Sequence, residues 1–197
     1  MKFWLLVSAL FLILTPGLSL ASAGAFPATL QAKDTRANEL TIAGFRPGKD
    51  TLAAARARIG KKVSASEDEA DRVVTWHEFC YGKDLKIEAD DHGVIQSLDL
   101  IAKEPMRPCV PEALAASQQT LNWKTGRGLA LGDSRKRVLA LYGPPGSNGP
   151  SLEGNERREL LYYAFDWAGS DVPQVMEVSC DKATGRVVEI MLAFPSL

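Results

Sequence analysis

The chain has 197 residues, of which 46% are hydrophobic and 24% charged, and its 23 basic and 24 acidic residues give a formal net charge of −1. This balance provides no basic surface for nucleic acid or for an anionic membrane. The length allows one ordinary domain or two small ones.

Residues 1–23 have the pattern of a secretory signal peptide. Met1-Lys2 precedes an apolar run from Phe3 to Leu14, and an Ala-x-Ala cleavage site ends at Ala23. The run is shorter than the roughly 20 apolar residues that a transmembrane helix needs. We therefore expect cleavage near Ala23, a soluble protein in the periplasm or outside the cell, and no stable membrane insertion.

Two stretches of the remaining chain share one pattern, which we interpret as a tandem repeat. Thr51 and Ser134 are residues of the helix-capping type, and Gly60 and Gly143 follow them at the same distance. Strand-like segments come after each helix in the same order. The predicted organisation is a signal peptide at 1–23, repeat 1 at 24–105, a linker at 106–123 and repeat 2 at 124–197.

In the first half, the pattern predicts a helix over residues 52–59, a charged, serine-rich loop over 61–71 and a β-branched and aromatic strand over 73–79. Residues 85–89 and 94–100 alternate in polarity around a glycine-containing turn, so they form a predicted hairpin. The proline-rich stretch after residue 102 belongs to the connection between the halves.

The second half repeats this order with a helix after Ser134, a Gly/Asn/Ser/Pro-rich loop over 147–157 and strands over 160–167, 176–180 and 187–194. Each half is thus a helix followed by an antiparallel meander of three to four strands. The predicted class is α+β, with the helices packed on one sheet face. The opposite face is left open to solvent or to a partner.

The stretch from Gly132 to Pro145 reads Gly-x-Ser-x-x-x-Val-Leu-x-x-Tyr-Gly-x-Pro, and an aromatic strand and a hairpin follow it. This order resembles two related groups, the small outer-membrane assembly lipoproteins and the β-lactamase inhibitor protein family, which carries two such units in tandem. The resemblance covers roughly residues 40–101 and 124–194. It implies helix-plus-sheet repeats that bind another protein, as an inhibitor or as an envelope accessory. No cysteine follows the signal peptide, so an envelope-assembly role would lack the lipid anchor.

The three cysteines are Cys80, Cys109 and Cys180. An exported protein meets an oxidising compartment, so we expect one disulfide and one remaining thiol. Cys80 and Cys109 flank the last strands of the first half and are the favoured pair. Cys180 shares the parity of two apolar strand residues and is interpreted as a small buried hydrophobe, with a reactive or intermolecular thiol as the alternative.

Groups for catalysis are few. His92 lies in a predicted turn and His77 in a predicted strand, and the sequence contains no nucleophile elbow, phosphate-binding loop, dinucleotide fingerprint, zinc spacing or calcium loop. We therefore predict a non-enzymatic protein without metal or cofactor. The alternative is a small-ligand-binding protein or hydrolase that uses His77 and neighbouring acids.

Aromatic residues are the stronger functional signal, because Tyr and Trp often anchor protein interfaces. Within the strand predicted at 160–167, one face carries Leu161, Tyr163, Phe165 and Trp167 and is assigned to the core. Tyr162 then projects from the open face, and Trp76 is expected there by alignment with it. The other interpretation is that these aromatics pack between the two repeats. The predicted partner-binding residues are Trp76, His77, Tyr162 and Trp167.

Overall fold

The computed structural model describes residues 37–60, 64–67, 71–105, 121–153 and 156–194. The predicted signal peptide, most of the predicted linker and Cys109 lie outside these residues. The favoured Cys80–Cys109 disulfide and the cleavage site therefore stay predictions.

Two short helices lie where the sequence predicts them, α1 at Leu52–Ile59 and α2 at Arg135–Tyr142. The Thr51 hydroxyl accepts a hydrogen bond from the Ala54 amide at 3.2 Å, and the Ser134 hydroxyl accepts one from the Arg137 amide at the same distance. These contacts satisfy amides that have no partner within the helix. Gly60 and Gly143 then end the helices.

Within the described residues, eight strands form one sheet, in which every pair of neighbours is antiparallel. The spatial order is β1-β2-β3-β4-β8-β7-β6-β5, so β4 and β8 pair in the middle. The bounds in chain order are β1 Ser64–Glu67, β2 Val73–Glu78, β3 Lys83–Ala89, β4 Ile95–Ala102, β5 Ser147–Glu153, β6 Glu156–Ala164, β7 Val175–Asp181 and β8 Val187–Ala193.

Two segments that were predicted to be loops contain the outermost strands. β1 lies within residues 61–71, and β5 lies within residues 147–157. Their polar and Gly/Pro-containing sequences have low strand propensity, but an edge strand pairs on one side only and tolerates such residues. Pro150, which lacks an amide hydrogen, is in β5 and pairs with Glu159 of β6.

The hydrophobic core lies between the helices and one face of the sheet. Leu52, Ala55 and Ile59 of α1 and Val138 and Tyr142 of α2 are buried in it. The sheet contributes buried side chains from alternate positions, as a half-buried strand requires. They include Val74, Trp76, Leu85, Ile87, Leu98, Leu100, Leu161, Tyr163, Met176, Val178, Ile190 and Leu192. The protein is therefore an α+β fold with both described helices on the same side of an antiparallel sheet.

The open face of the sheet as a candidate binding site

The open face, opposite the helices, carries two rows of side chains that run across the central six strands. Directly paired residues of antiparallel strands share a face, so the register defines each row. The first row is Thr75, Lys86, Asp99, Met191, Glu177 and Tyr162. The second row is His77, Asp84, Ile101, Glu189, Ser179 and Leu160.

Part of this face is a depression, which we call the central groove. It has a volume of about 290 Å³. Six of its lining residues are Asp99, Leu160, Glu177, Ser179, Glu189 and Met191. They come from β4, β6, β7 and β8, so the groove spans the β4–β8 pair that joins the first four strands to the last four.

The most buried carboxylate of the groove is Asp99, which is only 9% exposed. Burial raises the pKa of Asp99 to about 6, Lys86 opposes the shift, and Glu88 and Glu177 add to it. The ammonium of Lys86 is 3.7 Å from Asp99 Oδ2, which is an ion pair but longer than a hydrogen bond. The groove thus holds a carboxylate that is poorly solvated and weakly compensated.

A second carboxylate of the groove is better compensated. Arg158 Nη1 donates to Glu189 Oε2 at 2.9 Å, and the Arg158 side chain is 8% exposed. A buried charge pair of this kind is costly to break, because the remaining partner would be left desolvated. Arg158 therefore holds Glu189 at the border of the groove.

His77 lies at the other end of the same face. Its Nδ1 atom is 2.9 Å from Asp84 Oδ1, and its ring stacks on Phe79 with 5.5 Å between the centroids. Phe79 and Tyr81 are 44% and 53% exposed, so an aromatic surface continues beyond the end of β2. The described residues contain no group of three His, Cys, Asp or Glu that could hold a metal ion.

Of the predicted partner-binding residues, Tyr162 is half-buried on the open face, where it was expected, and His77 is half-buried on the same face. They lie in different rows, five strand-to-strand steps apart, which corresponds to about 24 Å. The structure therefore places them on one face but not in one contact site.

The predicted exposure of Trp76 is wrong, because Trp76 is 2% exposed in the core. It pairs with Leu85, and the register continues across the sheet to Leu161 rather than to Tyr162. The alignment of Trp76 with Tyr162 was thus off by one residue, and a shift of one residue exchanges the two faces of a strand.

The assignment of Trp167 to the core is also wrong. β6 ends at Ala164, and Trp167 lies in a 3₁₀ turn at Asp166–Ala168 with 43% of its surface exposed. The exposure of Trp167 is compatible with its predicted role in partner contact, which stays a prediction. The residue lies beyond the end of β6. Leu161, Tyr163 and Phe165 are buried as predicted.

The groove residues Asp99, Glu177 and Ser179 were not singled out from the sequence. The available signal was parity, because Asp99 alternates with Leu98 and Leu100, and Glu177 alternates with Met176 and Val178. Parity assigns them to the open face, but only the β4–β8 pairing brings them together.

No family model and no curated protein matches this chain. Among solved structures, the chain is similar to a DUF4309 family protein from Bacillus subtilis with 9% identity and a TM-score of 0.45, covering 76% of this chain and 82% of the other. It is also similar to a cysteine-rich secretory protein from Staphylococcus aureus with 9% identity and a TM-score of 0.41. That match covers 80% of this chain, which spans about half, 48%, of the staphylococcal protein.

Within the described residues, no helix is long and apolar enough to cross a membrane.

Proposed function

We propose that this protein is an exported, soluble binding module that captures a protein partner on the open face of its sheet, as an inhibitor or an envelope accessory protein. The observation that carries the proposal is the placement of both described helices on one face, while the other face presents a groove, three carboxylates and Tyr162. Tyr162 and Met191 on this face belong to residue types that are enriched at protein interfaces, and the rim of an interface is usually polar.

Two tandem repeats are part of this proposal, and matching backbone hydrogen bonds support them. The backbone amide of the first residue of each helix donates to the carbonyl oxygen of a glycine in a hairpin turn, Leu52 to Gly93 and Arg135 to Gly185. Two residues before each helix, a backbone carbonyl accepts from the amide of the first residue of a strand: Asp50 from Ile95, and Asp133 from Val187. Such detailed correspondence is typical of a duplicated unit. The central β4–β8 pairing then relates the two units within one sheet.

Site-specific photo-crosslinking in the producing cells tests the binding role. A benzophenone amino acid replaces Tyr162 on the open face, and a matched variant carries it at Lys136, which is exposed on α2. We expect a discrete heavier adduct from position 162 and none from position 136. Identical patterns, or no adduct from the open face, would contradict the proposal. Export is tested separately. Cell fractionation should find the protein in the periplasm or outside the cell, and the mature N-terminus should follow Ala23.

A small-ligand or hydrolytic role is the second candidate, and the close approach of His77 to Asp84 favours it. A carboxylate at a histidine nitrogen can orient the ring for proton transfer. His77→Gln should then abolish turnover of a substrate while leaving the crosslinked adduct unchanged. Under the binding proposal, the same variant changes no enzymatic activity.

A further inference from the structure

Two polar residues of the central groove, Asp99 and Ser179, are largely buried and have few partners among the described residues. Asp99 is 9% exposed and has only the 3.7 Å ion pair with Lys86, and Ser179 is 7% exposed. Both residues line the same groove, so their oxygens are open to it. A polar ligand from outside the chain would supply the partner that largely buried polar side chains usually have.

The sign of the charge indicates what kind of ligand this is. Asp99, Glu177 and Glu189 line the groove, whereas the nearby cations Lys86 and Arg158 are paired with Asp99 and Glu189. Glu177 forms no ion pair within the described part of the chain. The immediate charge is thus three negative against two positive, and a cation would meet the uncompensated carboxylate.

The apolar part of the groove indicates the shape of the ligand. Leu160 and Met191 lie in the lining beside the carboxylates. Lysine and arginine bury their hydrocarbon stems along apolar surface while the charged head reaches polar groups. The volume of about 290 Å³ is at the lower end of the range for small-molecule pockets, so it suits one long side chain.

We infer that the central groove receives a lysine or arginine side chain of the protein partner, with the cation at Asp99 and Glu177 and the stem on Met191 and Leu160. This inference rests on the proposed binding function and adds the chemistry of the partner. The Ser179 hydroxyl accepts a hydrogen bond from the same cation. Met191 lies between Asp99 and Glu177 in the register, so both carboxylates flank one contact position.

Chemical-shift mapping with a defined probe tests the inference. The mature protein is titrated with the peptide acetyl-Gly-Gly-Lys-Gly-Gly-amide at millimolar concentration, and with the same peptide acetylated on the lysine ammonium. With the charged lysine peptide, we expect changes in backbone amide chemical shifts that are confined to the four strands of the groove. With the acetylated peptide, we expect no changes. Equal shifts with both peptides, or no shift with the charged peptide, would overturn the inference.

Three variants make the test specific. Glu177→Gln and Asp99→Asn should each weaken the lysine peptide about fivefold, the loss expected for one charge pair of about 1 kcal/mol. Glu104→Gln removes an exposed carboxylate outside the groove and should leave the affinity unchanged. Glu177 is half-exposed, so its variant separates loss of binding from loss of folding. Equal effects of all three variants would indicate general electrostatic attraction and would also overturn the inference.

A metal ion or another cation is a distinguishable outcome. If Mg²⁺ or Ca²⁺ displaces the lysine peptide at lower concentration than the peptide itself binds, the groove is a metal site and the inference is wrong. A third outcome is that the lysine peptide does not bind the unsubstituted protein, while the crosslinked adduct from position 162 persists when Glu177→Gln is added. The face would then bind a protein without using this groove, and the inference would be wrong. If position 162 gives no adduct even without Glu177→Gln, the proposed function itself is contradicted.

Discussion

The Tyr142 hydroxyl at the end of α2 donates a 2.7 Å hydrogen bond to Glu39 Oε2, in the segment before α1. Glu39 is 2% exposed and also accepts from the backbone amides of Leu40, Thr41 and Arg127. Burial and the Glu39 carboxylate raise the pKa of Tyr142, so the phenol stays protonated and remains a donor. This contact connects the start of the described chain to the second half.

Tyr142→Phe should lower the free energy of unfolding by about 1.5–3 kcal/mol, the range for a hydrogen bond to a charged group. The loss arises because the buried carboxyl group of Glu39 loses a hydrogen-bond donor. Urea unfolding measures it. Tyr162→Phe is the matched control, because no hydrogen bond of the Tyr162 hydroxyl to the described residues exists, and its stability should stay within about 0.5 kcal/mol. Equal losses in the two variants would show that the Glu39 contact contributes nothing.

Asp99→Asn should make the protein more stable at neutral pH. Burial raises the pKa of Asp99 from its ordinary 3.8 to about 6, so the native state holds this proton more tightly than the unfolded chain does. The stabilisation that comes from this tighter proton binding is complete below pH 3.8, and it is lost as the pH rises through about 6. This change in the pKa of Asp99 corresponds to about 3 kcal/mol.

The measurement is urea unfolding at a series of pH values. The unsubstituted protein should lose stability between about pH 4 and 6 relative to Asp99→Asn, because only the carboxyl group titrates there. Glu104→Gln serves as the control and should follow the unsubstituted protein. A parallel pH dependence of Asp99→Asn and the unsubstituted protein would show that Asp99 is not responsible.

Gly82→Ala should be far more destabilising than Gly93→Ala, although both glycines have positive φ, +61° and +76°. The left-handed conformation costs alanine about 1–2 kcal/mol at either position. A Cβ on Gly82 would also clash with the backbone carbonyl oxygen of Lys103, whereas a Cβ on Gly93 meets nothing within 4 Å. Thermal unfolding of the two variants should therefore differ, and equal midpoints would contradict the close approach at Gly82.

Trp76→Ala should cost about 3–5 kcal/mol, the range for removing a large aromatic side chain from a core. Trp167→Ala should cost much less, because 43% of that residue is already exposed. Urea unfolding separates the two. A small loss at Trp76 would contradict its position on the helix-facing side of the sheet.

Cys180 should resist a thiol reagent in the native protein. It is a free, buried cysteine, and burial raises the pKa of its thiol to about 11, so little reactive thiolate forms. After unfolding without a reductant, mass spectrometry should find one alkylated cysteine, because we predict that Cys80 and Cys109 are paired. Three alkylated cysteines under those conditions would contradict the pairing.

The sequence predicted the helices well because their determinants are local. The hydroxyls of Thr51 and Ser134 cap amides only three residues away. Strand parity also assigned Tyr162 and Leu161 to opposite faces correctly. These features depend on the order of residues within one element, which the sequence displays directly.

Features that depend on pairing between elements were predicted poorly. β5 is a strand because β6 supplies its hydrogen bonds, although Gly149 and Pro150 favour a loop. The face of Trp76 required the register across six strands. The groove required knowledge that β4 pairs with β8, and the two central residues Asp99 and Met191 are far apart in the chain. No local pattern contains that information.

The pairing of β4 with β8 also sets the order in which the sheet can be completed during synthesis. β8 follows every other described strand in the chain, yet its place is in the middle. Until it is made, β4 and β7 each present an unpaired edge, and exposed edges pair readily with other chains. The interval between the synthesis of β4 and of β8 is therefore when the nascent protein is most prone to aggregate, and a factor that covers these edges would act then.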